Sequence, residues 1–291
     1  MARNFGGIGY GEWMGRDMRR VWISLSGLTA GIALALLAGC QTVRTTEPGV
    51  VGVDRQQRML ISREEMDRGS AEAYQKIIQD AQKKGALNRN AAHVERVRRI
   101  VARLTPVTAA FRADAPRWRW EVNVLTSDEI NAWCMAGGKV AVYTGLIDKL
   151  KITDDELAAV MGHEIAHALR EHSREQASRE AGQNMIISLG SALLGAPEVG
   201  QQVAQLATDV LFNRPHSRDD ETEADRIGVE LAARAGYDPR AAVSLWQKMG
   251  AQGGATPPQW LSTHPSPQTR TRDLQDYAQR VLPLYQAAVK R

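Results

Sequence analysis

The chain has 291 residues, which is long enough for one domain with a substantial hydrophobic core. Its 37 basic residues nearly balance its 33 acidic residues, so the charge gives no indication of a nucleic-acid partner. Two cysteines are too few for a scaffold held together by disulfides. We expect a single α+β domain that binds no nucleic acid.

The N-terminal segment has the features of a secretory signal. Arg19 and Arg20 precede an apolar run from 21 to 37, as the n-region precedes the h-region of a signal peptide. Residues 37–40, Leu-Ala-Gly-Cys, resemble a bacterial lipobox, in which the cysteine is lipidated and becomes the new N-terminus. This pattern predicts a signal peptide over 1–39, with Met18 as a possible true start. A transmembrane anchor is the alternative, although the run is at the lower limit of spanning length.

Lipidation of Cys40 would place the protein on a membrane. Gln41 follows the cysteine, and by resemblance to Gram-negative lipoproteins this predicts the periplasmic face of the outer membrane. The remaining cysteine, Cys134, has large apolar neighbours, which favours burial over a redox role. We expect a lipidated N-terminus and tether over 40–56, and the folded domain over 57–291.

The next segments alternate between helical and strand patterns. Residues 63–104 predict two amphipathic helices broken near Gly85, and the alternation over 118–124 predicts a half-buried strand. A short strand bounded by glycines is predicted over 137–145. As an edge strand it would bind a substrate peptide by β-addition, through the residues Gly138, Val140 and Val142. An ordinary core strand is the alternative.

The most informative motif is His163-Glu164-Ile165-Ala166-His167. Histidines at positions i and i+4 of a helix lie on one face, so both rings can bind one Zn²⁺ at about 2.0–2.1 Å. Glu164 can reach a metal-bound water, whose pKa zinc lowers to about 7, and can act as its general base. The capping-box pattern over 153–156 places the motif in the middle of a helix. The sequence therefore predicts a hydrolytic site with one zinc ion per chain.

A catalytic zinc needs a third protein ligand and one open position. The nearby candidates fail, because a metzincin would have a histidine at position 173 and this chain has Ser173. His172 is five residues past His167, off the ligand face of a continuous helix, and we expect it on the surface.

A later helix, predicted from about 218 to 235 after a capping-box pattern, offers better candidates. Glu221 and Asp225 share one face of it. Glu221 would complete a His₂Glu zinc site, and Asp225 would accept the second ring N–H of a ligand histidine. Glu223 points away from that face.

Two further segments have more than one interpretation. The apolar stretch 184–212 predicts either a helical hairpin in the core or a mobile lid over the cleft. His264, just before Pro265, could donate to the oxyanion, a contribution of about 2.7–4 kcal/mol, or occupy the open zinc position and keep the enzyme latent. Packing of His264 on the C-terminal helix, predicted over about 268–290, is the remaining alternative.

At these residues the chain resembles the gluzincins of the HtpX and CAAX prenyl protease family, peptidase family M48. The resemblance covers about residues 60–280, and the segments that carry it are Asn131-Ala132, Gly137-Gly138, 144–146, 215–228 and 262–265 with Arg270. It implies that His163, His167 and Glu221 bind zinc and that Glu164 is the base. It also implies a mostly helical zincin fold with a small β-sheet whose edge strand lines the cleft. With no helical-repeat tail like that of the BepA-like relatives, the chain resembles the short LoiP-like lipoproteins more than those relatives, and we expect it to belong with that branch.

Together these features predict a zinc endopeptidase that cleaves misfolded or stalled envelope proteins. Its expected partners are unfolded or misassembled envelope proteins, the membrane through an N-terminal lipid, and the outer-membrane assembly machinery. The alternative is a chaperone or assembly factor for outer-membrane proteins, with incidental or latent proteolysis. The intact set of ligands and base favours the peptidase, since a pure binder has no need of Glu164.

Overall fold

The structure is a computed structural model that describes residues 41–191, 205–206, 208–210, 213–252, 259–264 and 269–290, without the side chains of 41 and 184–191. The expected signal peptide, Cys40 and most of the segment 192–212 lie outside these residues. Within the described part of the chain, no helix is both long enough and apolar enough to cross a membrane.

The described elements are mainly helices, with two small sheets. In chain order they are β1 (Gln41–Val43), β2 (Gln57–Met59), α1 (Arg63–Lys83), α2 (Ala91–Val107), β3 (Glu121–Leu125), β4 (Ala132–Met135), β5 (Lys139–Tyr143), α3 (Thr144–Leu150), α4 (Asp154–Leu169), α5 (His172–Ser191), α6 (Arg218–Arg234), α7 (Ala241–Gly250), α8 (Gln259–Thr263) and α9 (Arg270–Ala288). This composition confirms the predicted α+β class. The break between α1 and α2 also occurs where it was predicted, at Gly85, whose φ is +62°.

The larger sheet has the strand order β3-β5-β4. Its middle strand β5 is parallel to β3 and antiparallel to β4, so that Val140 lies opposite Val122 on one side and Cys134 on the other. The prediction that Gly138, Val140 and Val142 form a substrate-binding edge strand is therefore wrong. Both valines are fully buried, and the carbonyl of Gly138 already accepts a hydrogen bond from Glu121 N. Strands β3 and β4 are the two edges of this sheet, and β4 packs against α4.

Helix α4 runs through the core, and every residue from Glu156 to Leu169 is buried. It begins at a capping box in which the Thr153 hydroxyl accepts from Glu156 N and the Glu156 carboxylate accepts from Thr153 N. These two bonds satisfy amide groups that would otherwise lack partners at the helix start. The predicted position of the histidine motif, in the middle of this helix, is thereby confirmed.

Helices α4 and α6 touch through their backbones at Gly162 and Gly228. A Cβ atom on Gly162 would lie 2.6 Å from Gly228 O, and one on Gly228 would lie 2.7 Å from His163 N. Only glycine permits so close an approach. Because α6 begins at the Ser217 capping box, about three turns before Gly228, this contact brings the start of α6 beside the histidines of α4.

The segment expected to be a tether is part of the domain. The compact unit begins at Thr42 rather than at 57, and Val51 and Val53 are only 2% and 3% exposed. Val51 N donates to the buried Glu230 carboxylate, and β1 pairs with β2. The two valines bury apolar surface that a solvated tether would leave in water.

Candidate active site

Helix α4 directs the rings of His163 and His167 to one point. Their Nε2 atoms are 3.0 Å apart, and both side chains are almost completely buried. The other nitrogen of each ring has a separate partner: His163 Nδ1 lies 3.0 Å from Asp225 Oδ1, and His167 Nδ1 lies 2.9 Å from His172 Nδ1. The two Nε2 atoms are thus left facing each other in the interior.

Glu221 reaches the same point from the first turn of α6. Its Oε2 is 3.5 Å from His163 Nε2, its Oε1 is 3.5 Å from His167 Nε2, and the residue is fully buried. Potential donor atoms of His163, His167, Glu221 and His264 all lie within 4.8 Å of one another. Arg270 donates to Glu221 Oε2 at 3.0 Å and to Asp225 Oδ1 at 2.7 Å, so it holds both carboxylates.

These donors fit a zinc ion. Glu221 Oε1 and His264 Nε2 are buried and have no hydrogen-bond partner among the described residues. Burial lowers the pKa of His163, His167 and His264, so their rings are neutral, which is the form that binds a metal. Burial also raises the pKa of Glu221 well above its usual value, against the opposing effect of Arg270. Three imidazoles and a carboxylate, one oxygen of which is buried without a hydrogen-bond partner among the described residues, are typical of a zinc site.

Glu164 lies beside this donor cluster. The residue is 3% exposed, and the indole N–H of Trp260 donates to its Oε1 at 2.7 Å. Burial raises the pKa of Glu164 to about 8, although Trp260 and Arg270 act in the opposite direction. A carboxyl with a pKa near neutrality is suited to accept a proton and to release it again in a catalytic cycle.

His264 follows the short helix α8, which also carries Trp260. The two rings stack with centroids 4.8 Å apart, and His264 Nδ1 lies 3.0 Å from the carbonyl oxygen of Trp260. A carbonyl can only accept, and the Thr263 hydroxyl, which also lies 3.0 Å from Nδ1, can donate to the same carbonyl, so we assign the hydrogen of the neutral ring to Nδ1. His264 Nε2 therefore presents a lone pair, and it lies 3.6 Å from Glu164 Oε1.

His172 is fully buried, so the prediction that it lies on the surface is wrong. Helix α4 ends at Leu169, Glu171 takes a positive φ of 54°, and α5 begins at His172. The turn changes the direction of the chain, so extrapolation of α4 does not give the position of this ring. Its Nε2 lies 3.1 Å from Glu223 Oε2.

Glu223 stays outside the donor cluster, in agreement with the orientation predicted for it. It binds Arg170 Nε at 2.7 Å and Arg55 Nε at 2.6 Å. Burial alone would raise the pKa of Glu223, but the hydrogen bonds from His172 and Arg55 outweigh it and lower the pKa to about 2.

Comparison with known proteins agrees with this geometry. The family model described as peptidase family M48 matches residues 91–278, more than half of the chain. The chain belongs to peptidase family M48. Metallopeptidases of this family depend on zinc, in accord with the donor set on α4 and α6.

The M48 relatives include mitochondrial and bacterial enzymes. The mitochondrial metalloendopeptidase OMA1 of Bos taurus is 39% identical over 170 residues, which are 53% of this chain and 32% of that protein. OMA1 of Schizosaccharomyces pombe is 35% identical over 175 residues, 60% of this chain and 49% of that protein. The beta-barrel assembly-enhancing protease of Escherichia coli is 32% identical over 170 residues, 55% and 35% respectively. The chain thus matches less than half of the length of these relatives.

Several residues of this M48 site were not predicted from the sequence pattern. Trp260 precedes His264 by four residues, so helical spacing could have placed both side chains on one face. His216 stacks on His167 with a centroid distance of 4.1 Å, and burial lowers its pKa to about 3. Nothing in the sequence pattern indicated a role for Arg55, because it lies in the segment interpreted as a tether.

Proposed function

We propose that this M48 member is a zinc-dependent endopeptidase. The observation that carries the proposal is the buried group of His163, His167 and Glu221, with Glu164 next to it. When bound there, zinc supplies a Lewis acid and lowers the pKa of a water molecule to about 7. The three residues hold the ion, and Glu164 takes and returns a proton.

The outer residues of the site orient these groups. Asp225 accepts from His163 Nδ1, which leaves His163 Nε2 free to bind the metal. Arg270 fixes Glu221 and Asp225 relative to each other, and the Trp260 indole fixes one oxygen of Glu164. His163, Glu221 and Glu164 therefore each have a hydrogen bond that restricts the orientation of the side chain before substrate binds.

We also propose that His264 is a fourth donor that holds the site latent. Its Nδ1 hydrogen points to the Trp260 carbonyl, so a neutral His264 has no hydrogen on Nε2 with which to stabilise an oxyanion. The same Nε2 belongs to the donor cluster and has no partner among the described residues. A fourth protein ligand would fill the position that a catalytic zinc keeps open.

The proposed substrates are misfolded or stalled envelope proteins, met at the periplasmic face of the outer membrane. Support comes from the signal-like residues 1–39, from the lipobox ending at Cys40, and from the name of the Escherichia coli relative, a beta-barrel assembly-enhancing protease. Labelling with palmitate tests the anchor. The label should be lost in Cys40→Ser, and persistent labelling would refute lipidation at this residue.

The second candidate, an assembly factor with latent proteolysis, is favoured by the fourth donor His264. Incubation of the zinc-loaded protein with one outer-membrane barrel, either unfolded or folded in detergent, separates the two functions. The peptidase proposal predicts fragments from the unfolded barrel only, and none with Glu164→Gln. If neither the wild type nor His264→Ala cleaves the unfolded barrel, and both raise its folding yield, the assembly function is the better account.

A further inference from the structure

The two histidines of α4 differ in what lies behind them. His163 Nδ1 meets a carboxylate directly, that of Asp225 at 3.0 Å. His167 Nδ1 instead meets a second imidazole, that of His172 at 2.9 Å, and only His172 Nε2 reaches a carboxylate, that of Glu223 at 3.1 Å. Behind His167 there is therefore a chain of two side chains, His172 and Glu223, whereas behind His163 there is only one carboxylate.

The positions of the hydrogens along this chain follow from its outer end. The Glu223 carboxylate can only accept, so neutral His172 carries its hydrogen on Nε2 and donates to Glu223. His172 Nδ1 then has a lone pair and must accept from His167, which places the hydrogen of that ring on Nδ1. His167 Nε2 is left without a hydrogen, and it is the atom that faces His163 Nε2 at 3.0 Å and Glu221 Oε1 at 3.5 Å.

The outer end of the chain is anchored by two arginines from different parts of the sequence. Arg170, directly after α4, donates to Glu223 at 2.7 Å, and Arg55 donates to the other oxygen of Glu223 at 2.6 Å. Arg55 also binds Glu175 through two nitrogens at 2.7 and 2.9 Å, and Asp220 at 2.9 Å. The buried N-terminal segment thereby helps to hold the carboxylate that fixes His172.

We propose that His172, backed by Glu223 and Arg55, is a positioning residue that fixes the nitrogen with which His167 holds the metal. The proposal rests on the ligand set proposed above. Partners behind metal-binding histidines typically change metal affinity or activity about 10- to 100-fold when they are mutated. If His172 only stabilised the fold, metal affinity would instead fall together with stability, whichever buried residue of the same network was mutated.

The test uses the full metal-free chain and titrates it with Co²⁺ alone, read by the visible absorption of the bound ion and by competition with Zn²⁺. His172→Phe keeps a flat ring but removes both hydrogen bonds, and should weaken Co²⁺ binding about 10- to 100-fold and shift the absorption band. His172→Asn restores an acceptor near the position of Nδ1, and should recover most of the affinity. Glu175→Gln is the matched control, because Glu175 is buried and binds Arg55, while no hydrogen bond or ion pair of the described residues joins it to His172 or Glu223.

Thermal unfolding of each metal-free variant shows whether it is folded. The inference predicts that Glu175→Gln binds Co²⁺ within about two-fold of wild type, whatever its loss of stability. It is overturned if folded His172→Phe binds Co²⁺ like the wild type, or if Glu175→Gln and His172→Phe lose affinity equally. His163→Ala separates this failure from failure of the proposed ligand set, since Co²⁺ binding unaffected by that change would refute the ligands themselves.

Discussion

Replacing the proposed base by its amide, Glu164→Gln, should stabilise the metal-free protein while it abolishes cleavage. Burial raises the pKa of Glu164 from 4.5 to about 8. The folded state therefore favours the protonated carboxyl, and the unfolded chain favours the ionised one between these two pH values. The wild type loses stability as pH rises through this interval, whereas glutamine has no proton to lose.

The magnitude follows from the interval. At about 1.4 kcal/mol for each pH unit, ionisation of Glu164 costs the fold about 3 kcal/mol at pH 7 and at most about 5 kcal/mol above pH 8. The amide can keep the main contact of the protonated acid, since its oxygen can accept from Trp260. We expect a gain of about 1–3 kcal/mol at pH 7 and almost none at pH 4.

The assay is urea unfolding of both proteins in a chelator, at pH 4, 5, 6, 7 and 8. The difference in free energy of unfolding should grow steadily with pH and then level off near pH 8. Saturating Zn²⁺ should reduce the difference, because a nearby cation stabilises the ionised carboxylate. A difference that does not change with pH, or a variant less stable than wild type at pH 7, would refute the reasoning.

Three further substitutions test other parts of the site. Gly228→Ala places a Cβ atom 2.7 Å from His163 N and should lower the free energy of unfolding by about 1–3 kcal/mol. The control Gly182→Ala lies in α5 with open space around it and should raise the free energy of unfolding by about 0.5–1 kcal/mol. Thermal unfolding measures both, and equal effects would contradict the close contact of α4 and α6. Trp260→Phe removes the donor to Glu164 and should lower kcat about 10-fold with zinc affinity retained, so an unchanged kcat would contradict a role of the indole in holding the base. His264→Ala should raise turnover of an unfolded protein if His264 holds the site latent; a fall would favour the oxyanion role, and no change would refute both.

The positions of the proposed ligands on their helices were predictable, because they depend on local rules. The i, i+4 spacing of His163 and His167 and the capping boxes before α4 and α6 act within a few residues, and the structure has them as the sequence predicts. Glu221 and Asp225 follow from helical periodicity in the same way. A shared metal already implied that the two helices lie together, but their contact at Gly162 and Gly228 was not predicted, since it joins residues far apart in sequence.

Two of the errors come from contact between distant segments, and the third, at His172, comes from a local change in backbone direction. Strand β5 is in the middle of the sheet because both β3 and β4 pair with it. The sequence does not show these pairings, so it could not exclude the edge position predicted for Val140. The positive φ at Glu171 redirects His172 into the core. The segment before 57 has the composition of a linker, yet Arg55 meets acidic residues from α5 and α6 there.

The central claim is tested most directly by cleavage of an unfolded protein by the 41–291 chain, with wild type, Glu164→Gln and chelator-treated wild type compared at equal concentration. The account predicts fragments from the zinc-loaded wild type, none after chelation until Zn²⁺ is restored, and none from Glu164→Gln although that variant still binds zinc. If His264 holds the wild type latent, the same pattern should appear in the His264→Ala background. Cleavage that persists in Glu164→Gln, or no cleavage by folded, zinc-loaded wild type and His264→Ala, would contradict it.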